Sequence, residues 1–232
     1  MIYTVSDHFK RLLMEVHSIP ASKIRVTPNA IDPERFKIRN CVFSRKALGI
    51  NHEKVICTTG AFVHWYGLGF LLDSISDLLK TEDLHLLLVG DGPARSEIES
   101  KAKAQGLMQH ITFTGFVTSE IVPHYLFLAD IVVIPDSNAH GSPMKLFESM
   151  AMGKPIVAVD DGPIRAVLEH GRDGLLFPPK NQEAFRKELL RVLKDRELGR
   201  RLGEAARSKV FARYTWVENP RAVLSDFHHV RA

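Results

Sequence analysis

The sequence predicts an α/β fold: one doubly wound domain built on a mostly parallel six-stranded sheet. Three observations carry this. Six short, nearly unbroken apolar runs recur along the chain, at Val55–Gly60, Leu84–Gly90, Ile111–Gly115, Asp130–Pro135, Pro155–Val159 and Leu175–Phe177. Runs of that kind fit strands buried on both faces. Amphipathic segments separate them, at Gly67–Leu79, Pro93–Gln105, Ser119–Leu128, Pro143–Met152 and Gln182–Leu193. Gly90, Gly115 and Pro135 stand at or near the strand exits, where a parallel sheet turns toward its helices. Alternating strands and helices with right-handed crossovers leave a Rossmann-like sheet as the simplest solution, and ligands collect at the C-terminal ends of its strands.

Composition sets the outer limits. The chain has 232 residues, 45% hydrophobic and 25% charged, enough for one α/β domain of ordinary globular character. Its net charge of +4, from 31 Lys+Arg against 27 Asp+Glu, is mild and dispersed, so no nucleic-acid partner is expected. Cys41 and Cys57 lie in unlike contexts without metal-ligand spacing, and reduced thiols in a cytoplasmic protein are expected. No apolar run approaches the ~18 residues of a membrane span. Residues 1–36 read as a helix, capped by Ser6 with Phe9, Leu12 and Leu13 on one face, followed by a turn-rich linker at Thr27–Pro33. Residues 37–214 form the core and 215–232 a C-terminal helix. The helical pattern from Glu204 to Val230 is expected to break near Asn219-Pro220.

The segment Pro135–Glu148 carries the most chemistry. A strand ends at Pro135, a polar loop containing Gly141 follows, and Ser142 is expected to cap a helix with Pro143 in its first position. Free backbone N–H groups and the positive helix end there suit a diphosphate. Lys145 adds a cation in the first turn, and Glu148 can accept two hydroxyls of a ribose. The plainer alternative makes Lys145 and Glu148 a solvated i,i+3 ion pair.

The run Gly141–Glu148, with Gly153-Lys154 and Pro155–Ala158, resembles the donor-site signature of glycosyltransferase family 4. Other blocks agree in order: Val26–Phe36 with the interdomain linker, Gly60–Gly67 with the first donor loop, Leu88–Pro93 with the second strand exit, Phe113–Phe116 before the base pocket, and Gly171–Leu176 after the last loop. The resemblance spans about Tyr3 to Phe227. It implies the C-terminal half of a two-domain GT-B enzyme that retains anomeric configuration. This domain would bind a nucleotide-diphosphate sugar, and an N-terminal domain, in cis or in trans, would hold a glycan or lipid-linked glycan acceptor. Glu148, His140 and Lys145 are then the candidates for catalytic work. Gly60, Ala61, Tyr66, Gly90, Phe116, Val117, Gly141, Ser142, Pro143 and Met144 would join Lys145 and Glu148 in donor binding. No cofactor or metal is expected, because helix dipoles and cationic side chains stabilise the departing diphosphate and no Asp-x-Asp motif is present.

Several positions depart from the family pattern. His140 stands where the family has the first Glu of its pair, Ala61 and Tyr66 replace two diphosphate contacts, and Ala166 replaces a Glu, with Arg165 and Lys145 as substitute cations. Met1 falls where the family's first domain finishes, so a chain inactive by itself is expected. The apolar faces at Phe9, Leu12, Leu224 and Phe227 would then be partly exposed. A non-catalytic nucleotide-sugar-binding module or degenerate partner subunit is the alternative. A nicotinamide-dependent oxidoreductase is disfavoured because Arg95 interrupts Gly-x-Gly-x-x-Gly after Gly90 and Gly92. Trp65 is expected to anchor its loop in the core. The basic stretch Lys180–Arg213 reads as a solvated helix face, with peripheral contact to an anionic membrane as the sharper reading.

Overall fold

The computed structural model describes residues 1–37, 41–137, 142–217 and 223–224. The predicted strands form as β3 (Lys54–Thr59), β4 (Leu84–Val89), β5 (Ile111–Phe113), β6 (Ile131–Ile134), β7 (Ile156–Val159) and β8 (Leu175–Phe177), following β1 (Ile2–Thr4) and β2 (Ile24–Val26) near the start of the chain. Six of them make one sheet in the order β5-β4-β3-β6-β7-β8, and each of its pairings is parallel. The order reverses direction between β3 and β6, so the crevice above these two strands is where such a sheet receives a ligand. β1 and β2 form a separate parallel pair that the sequence pattern did not reveal.

The strands are apolar on both faces because helices cover both. Ile56, Leu86 and Leu88 enter one core with Leu72, Ile75 and Phe177, whereas Val55, Cys57, Leu87 and Val89 enter a second with Tyr125 and Leu126. Complete burial pushes the Cys57 thiol up to about 12, which keeps it an inert core group. The helices are α1 (Asp7–Glu15), α2 (Leu68–Thr81), α3 (Arg95–Ala104), α4 (Val122–Leu128), α5 (Met144–Ala151), α6 (Gly162–Arg165), α7 (Gln182–Lys194) and α8 (Arg196–Arg213). Ser6 caps α1 as expected, its hydroxyl accepting from Phe9 N at 3.3 Å. Leu12 and Leu224 are exposed, as expected, while Phe227 lies outside the described residues.

Two expectations need correction. The C-terminal helical pattern begins earlier than Glu204: α8 runs unbroken from Arg196, which Asp195 caps by accepting from Leu198 N, and ends at Arg213. The Asn219-Pro220 break lies outside the described residues. Trp65 is 59% exposed, because the loop is anchored by fully buried Phe62 instead. Between Lys180 and Arg213 the helix face is solvated, as expected, and four of its eleven cations are ion-paired: Arg186 with Asp77, Arg191 with Glu188, Arg200 with Glu197 and Glu204, and Lys209 with Asp173. No helix among the described residues is long and apolar enough to cross a membrane.

At the N-terminal end of the sheet three histidines form a hydrogen-bonded chain. His52 Nδ1 lies 3.3 Å from His85 Nδ1, and His52 Nε2 lies 3.2 Å from His110 Nδ1. His85 Nε2 meets Thr112 Oγ1 at 2.8 Å. Burial, then the neighbouring His52 and His110, push His85 down to about 4. Unfolded His85 binds a proton below about 6.5 whereas native His85 waits until about 4, so stability is full at neutral pH and drains away between those values. In urea unfolding the loss should reach roughly 1.4 kcal/mol per pH unit from this one ring, and His85→Gln should flatten it. Equal slopes for the two proteins would contradict the assignment.

Candidate functional site

The loops at the strand exits are held together by backbone approaches that only glycine permits. Gly90, with φ +140°, lies so close to the loop after β3 that a Cβ there would stand 2.0 Å from Gly60 O. Gly60 N donates to Val89 O and Phe62 N to Asp91 O, locking the two loops side by side. Gly67, with φ +70°, brings the same loop against Asp136 at the exit of β6. Antiparallel bridging of Gly90 to Gly115, with Thr114 Oγ1 accepting from Gly90 N at 3.2 Å, adds the exit of β5.

Lys145 sits on the first turn of α5 and is 9% exposed. Its ammonium lies 3.9 Å from the centre of the Tyr66 ring, and its stem passes Gly60. Thus Gly60, Tyr66, Gly90 and Lys145 converge. Burial pulls Lys145 down to about 8, and the charges of Asp136 and Asp161 oppose that fall. Asp161 accepts from Ser137 Oγ and from Ile164 N, and its burial, with Asp136 and Asp160 nearby, pushes its carboxyl up. Glu148 is half-buried and does not pair with Lys145, so the plain i,i+3 ion pair is not formed. Burial pushes the Glu148 carboxyl up, and the charge of Arg35 pulls it back.

Ser142 does not cap α5. Pro143 holds the cap position with no side-chain hydrogen bond, because the Ser142 hydroxyl accepts from Asn29 N at 3.2 Å and its carbonyl accepts from Asn29 Nδ2 at 2.7 Å. Met144 opens the helix half out in solvent, and Ala61 is exposed beside Gly60. Phe116 is 81% exposed at the β5 exit, whereas Val117 is half-buried against the second core. His140 and Gly141 lie outside the described residues. Arg165 is spent on Asp160 at 2.7 Å, so of the two cations expected to replace the lost contacts Lys145 is the one left. Arg95 pairs with Asp91 and Glu99, which removes it from phosphate binding. Among the described residues no cluster of three or more His, Cys, Asp or Glu side chains is fit to hold a metal.

Asn29, Arg35, Asp136 and Asp161 were not marked as site residues by the sequence, although Asn29 and Arg35 stand within the linker block and Asp136 within the segment Pro135–Glu148. Their contacts with Ser142, Ser119, Lys145 and one another span long stretches of chain, and no local periodicity signals them.

Comparison with known proteins places the chain among relatives by sequence and by fold. The family model for glycosyl transferases group 1 matches residues 43–209. An uncharacterized glycosyltransferase of Methanocaldococcus jannaschii is 26% identical over 220 residues, covering 93% of this chain and 56% of the relative. A GDP-mannose-dependent alpha-(1-6)-phosphatidylinositol monomannoside mannosyltransferase of Mycobacterium tuberculosis is 24% identical over 217 residues, covering 90% and 56%. The chain therefore spans about half the length of these curated relatives. The crystal structure of Anabaena Alr3699/HepE in complex with UDP superposes with a TM-score of 0.89 at 20% identity, over 99% of this chain and 64% of that one. That likeness fixes the fold as a Rossmann-like α/β unit.

Proposed function

The chain belongs to the group 1 glycosyl transferases, and from that premise we propose that it binds a nucleotide-diphosphate sugar over the C-terminal edge of its sheet. It does so as the donor half of a retaining, family 4-type transferase. The observation that carries this is the placement of a buried cation, Lys145, and a half-buried carboxyl, Glu148, on one helix beside the converged Gly60 and Gly90 loops. Lys145 and the first N–H groups of α5 take the diphosphate, and Glu148 takes the ribose hydroxyls. Charge developing on the departing diphosphate is met by the same groups, so the chemistry needs no cofactor and no metal. The exposed Phe116 ring lies toward the base. The UDP complex and the GDP-mannose relative support the ligand class without choosing the base.

The acceptor, a glycan or a lipid-linked glycan, is then held by an N-terminal domain, in the same chain or a partner. A second reading, a binding module without turnover, is favoured by Ala61 and Tyr66 and by the carboxylates of Asp136 and Asp161 close to Lys145. Sugar transfer or donor hydrolysis on adding the N-terminal domain separates the two. Glu148→Ala should weaken UDP or GDP binding by roughly 10- to 100-fold in a protein that still folds. Unaltered nucleotide affinity in that variant would sink the ribose assignment.

A further inference from the structure

The 3-10 turn Pro33–Phe36 packs against α5, pinned by Phe36 in the core and by Asp32, whose carboxylate accepts from Glu34 N at 3.0 Å. From this turn Arg35 Nη2 donates to the backbone carbonyl of Ser119, three residues beyond Phe116. Arg35 Nε is shut off from solvent with no hydrogen-bond partner among the described residues. A guanidinium cannot shed its charge, and an orphaned N–H is costly unless an anion lies in its field. Two carboxylates lie in its field, Glu120 next to Ser119 and Glu148 on the helix this turn packs against, since the Arg35 charge pulls both carboxyls down; Glu120 is solvated, and Glu148 is the one that burial pushes up. The other cations around α5 are engaged elsewhere. Lys145 turns to Tyr66, Asp136 and Asp161, while Arg207 of the neighbouring α8 donates to Ala151 O and lies over the Phe211 ring.

We propose that Arg35 is a positioning residue of the nucleotide site: it supplies the counter-charge to Glu148 and fastens the base-side loop at Ser119 to the turn beside α5. A carboxylate that accepts two hydroxyls must be ionised, because its protonated form surrenders acceptor capacity and becomes a donor. Arg35 therefore acts on nucleotide affinity through Glu148, and its grip on Ser119 sets the distance between the ribose and base sides. The consequence for binding rests on the ribose reading of Glu148; the counter-charge itself does not.

The test titrates the Glu148 carboxyl by NMR in ligand-free protein with isotope-labelled glutamate, the resonance being assigned with Glu148→Gln. Arg35→Met should raise the Glu148 midpoint by about one pH unit, and Arg35→Lys, which keeps the charge, should raise it less. UDP and GDP are then titrated as probes, and the acid-side loss of affinity should move to higher pH in Arg35→Met by a similar amount. An unmoved Glu148 midpoint in a folded Arg35→Met protein overturns the inference, and Arg35→Gln makes the same comparison should the Met variant fail to fold. A shifted midpoint with neither nucleotide binding to the wild type upholds the counter-charge and sinks the nucleotide reading, so the two failures are distinguishable.

Discussion

Lys145→Met should lower the affinity for a nucleoside diphosphate by roughly 10- to 100-fold and leave that for the free nucleoside nearly unchanged. The reason is local. Lys145 is the cation that remains where Ala61 and Tyr66 replace two customary phosphate contacts and Arg165 is tied to Asp160. Desolvation makes its charge more effective once a diphosphate enters, because few water dipoles screen the pair. The same desolvation makes the site sensitive to pH. Burial holds Lys145 near 8, so the free protein carries the charge below that value and loses it above. Diphosphate affinity should therefore fall as the pH rises through about 8, and the fall should be absent in Lys145→Met. Calorimetric titration of UDP and uridine, with GDP and guanosine as the parallel pair, at neutral and alkaline pH reads both effects. Equal losses for nucleotide and nucleoside would remove Lys145 from the phosphate site.

Gly90→Ala should be the most damaging single substitution at the strand exits. The added Cβ would stand 2.0 Å from Gly60 O and 3.0 Å from Gly60 C, and both are backbone atoms that move only if the two loops part. The φ of +140° adds strain for any L side chain. Together these should cost about 3 kcal/mol, and nucleotide affinity should fall as well because the loop carrying Gly60 and Tyr66 shifts. Gly49→Ala is the control, with a positive φ of 71° but nothing within 4 Å of the new methyl. Urea unfolding separates the two cases. A Gly90→Ala penalty no larger than that of Gly49→Ala would show that the loop contact is softer than the geometry requires.

The sheet was legible because strands such as Leu84–Val89 are apolar at every position but His85, and only a sheet covered on both faces accepts that pattern. The buried His85 is the exception, made tolerable by His52 and Thr112. β1 and β2 went unread because they mix polar with apolar side chains and lie outside the alternation of apolar runs and helices that marked β5 and β8, which are just as short. At the site, Gly60, Gly90 and Lys145 were marked by residue type and place, since positive φ and a strand exit each leave a local signature. Ser142 misled for the same reason: its position before Pro143 is that of a cap, yet Asn29, 113 residues away, claims its hydroxyl. Trp65 misled because aromatic size suggested an anchor, whereas Phe62 three residues earlier already fills the core. Arg35 could not have been chosen from spacing, because the charge it balances lies on a helix more than a hundred positions later.

The most direct measurement is amide-resolved NMR of the labelled protein titrated with UDP and with GDP. Saturable perturbations at Gly60, Ala61, Tyr66, Gly90, Met144 and Lys145, with the His52–His85–His110 end of the sheet silent, are the predicted result. Perturbations confined to that histidine end, or none with either nucleotide at millimolar concentration, would contradict a donor site at the C-terminal ends of the strands.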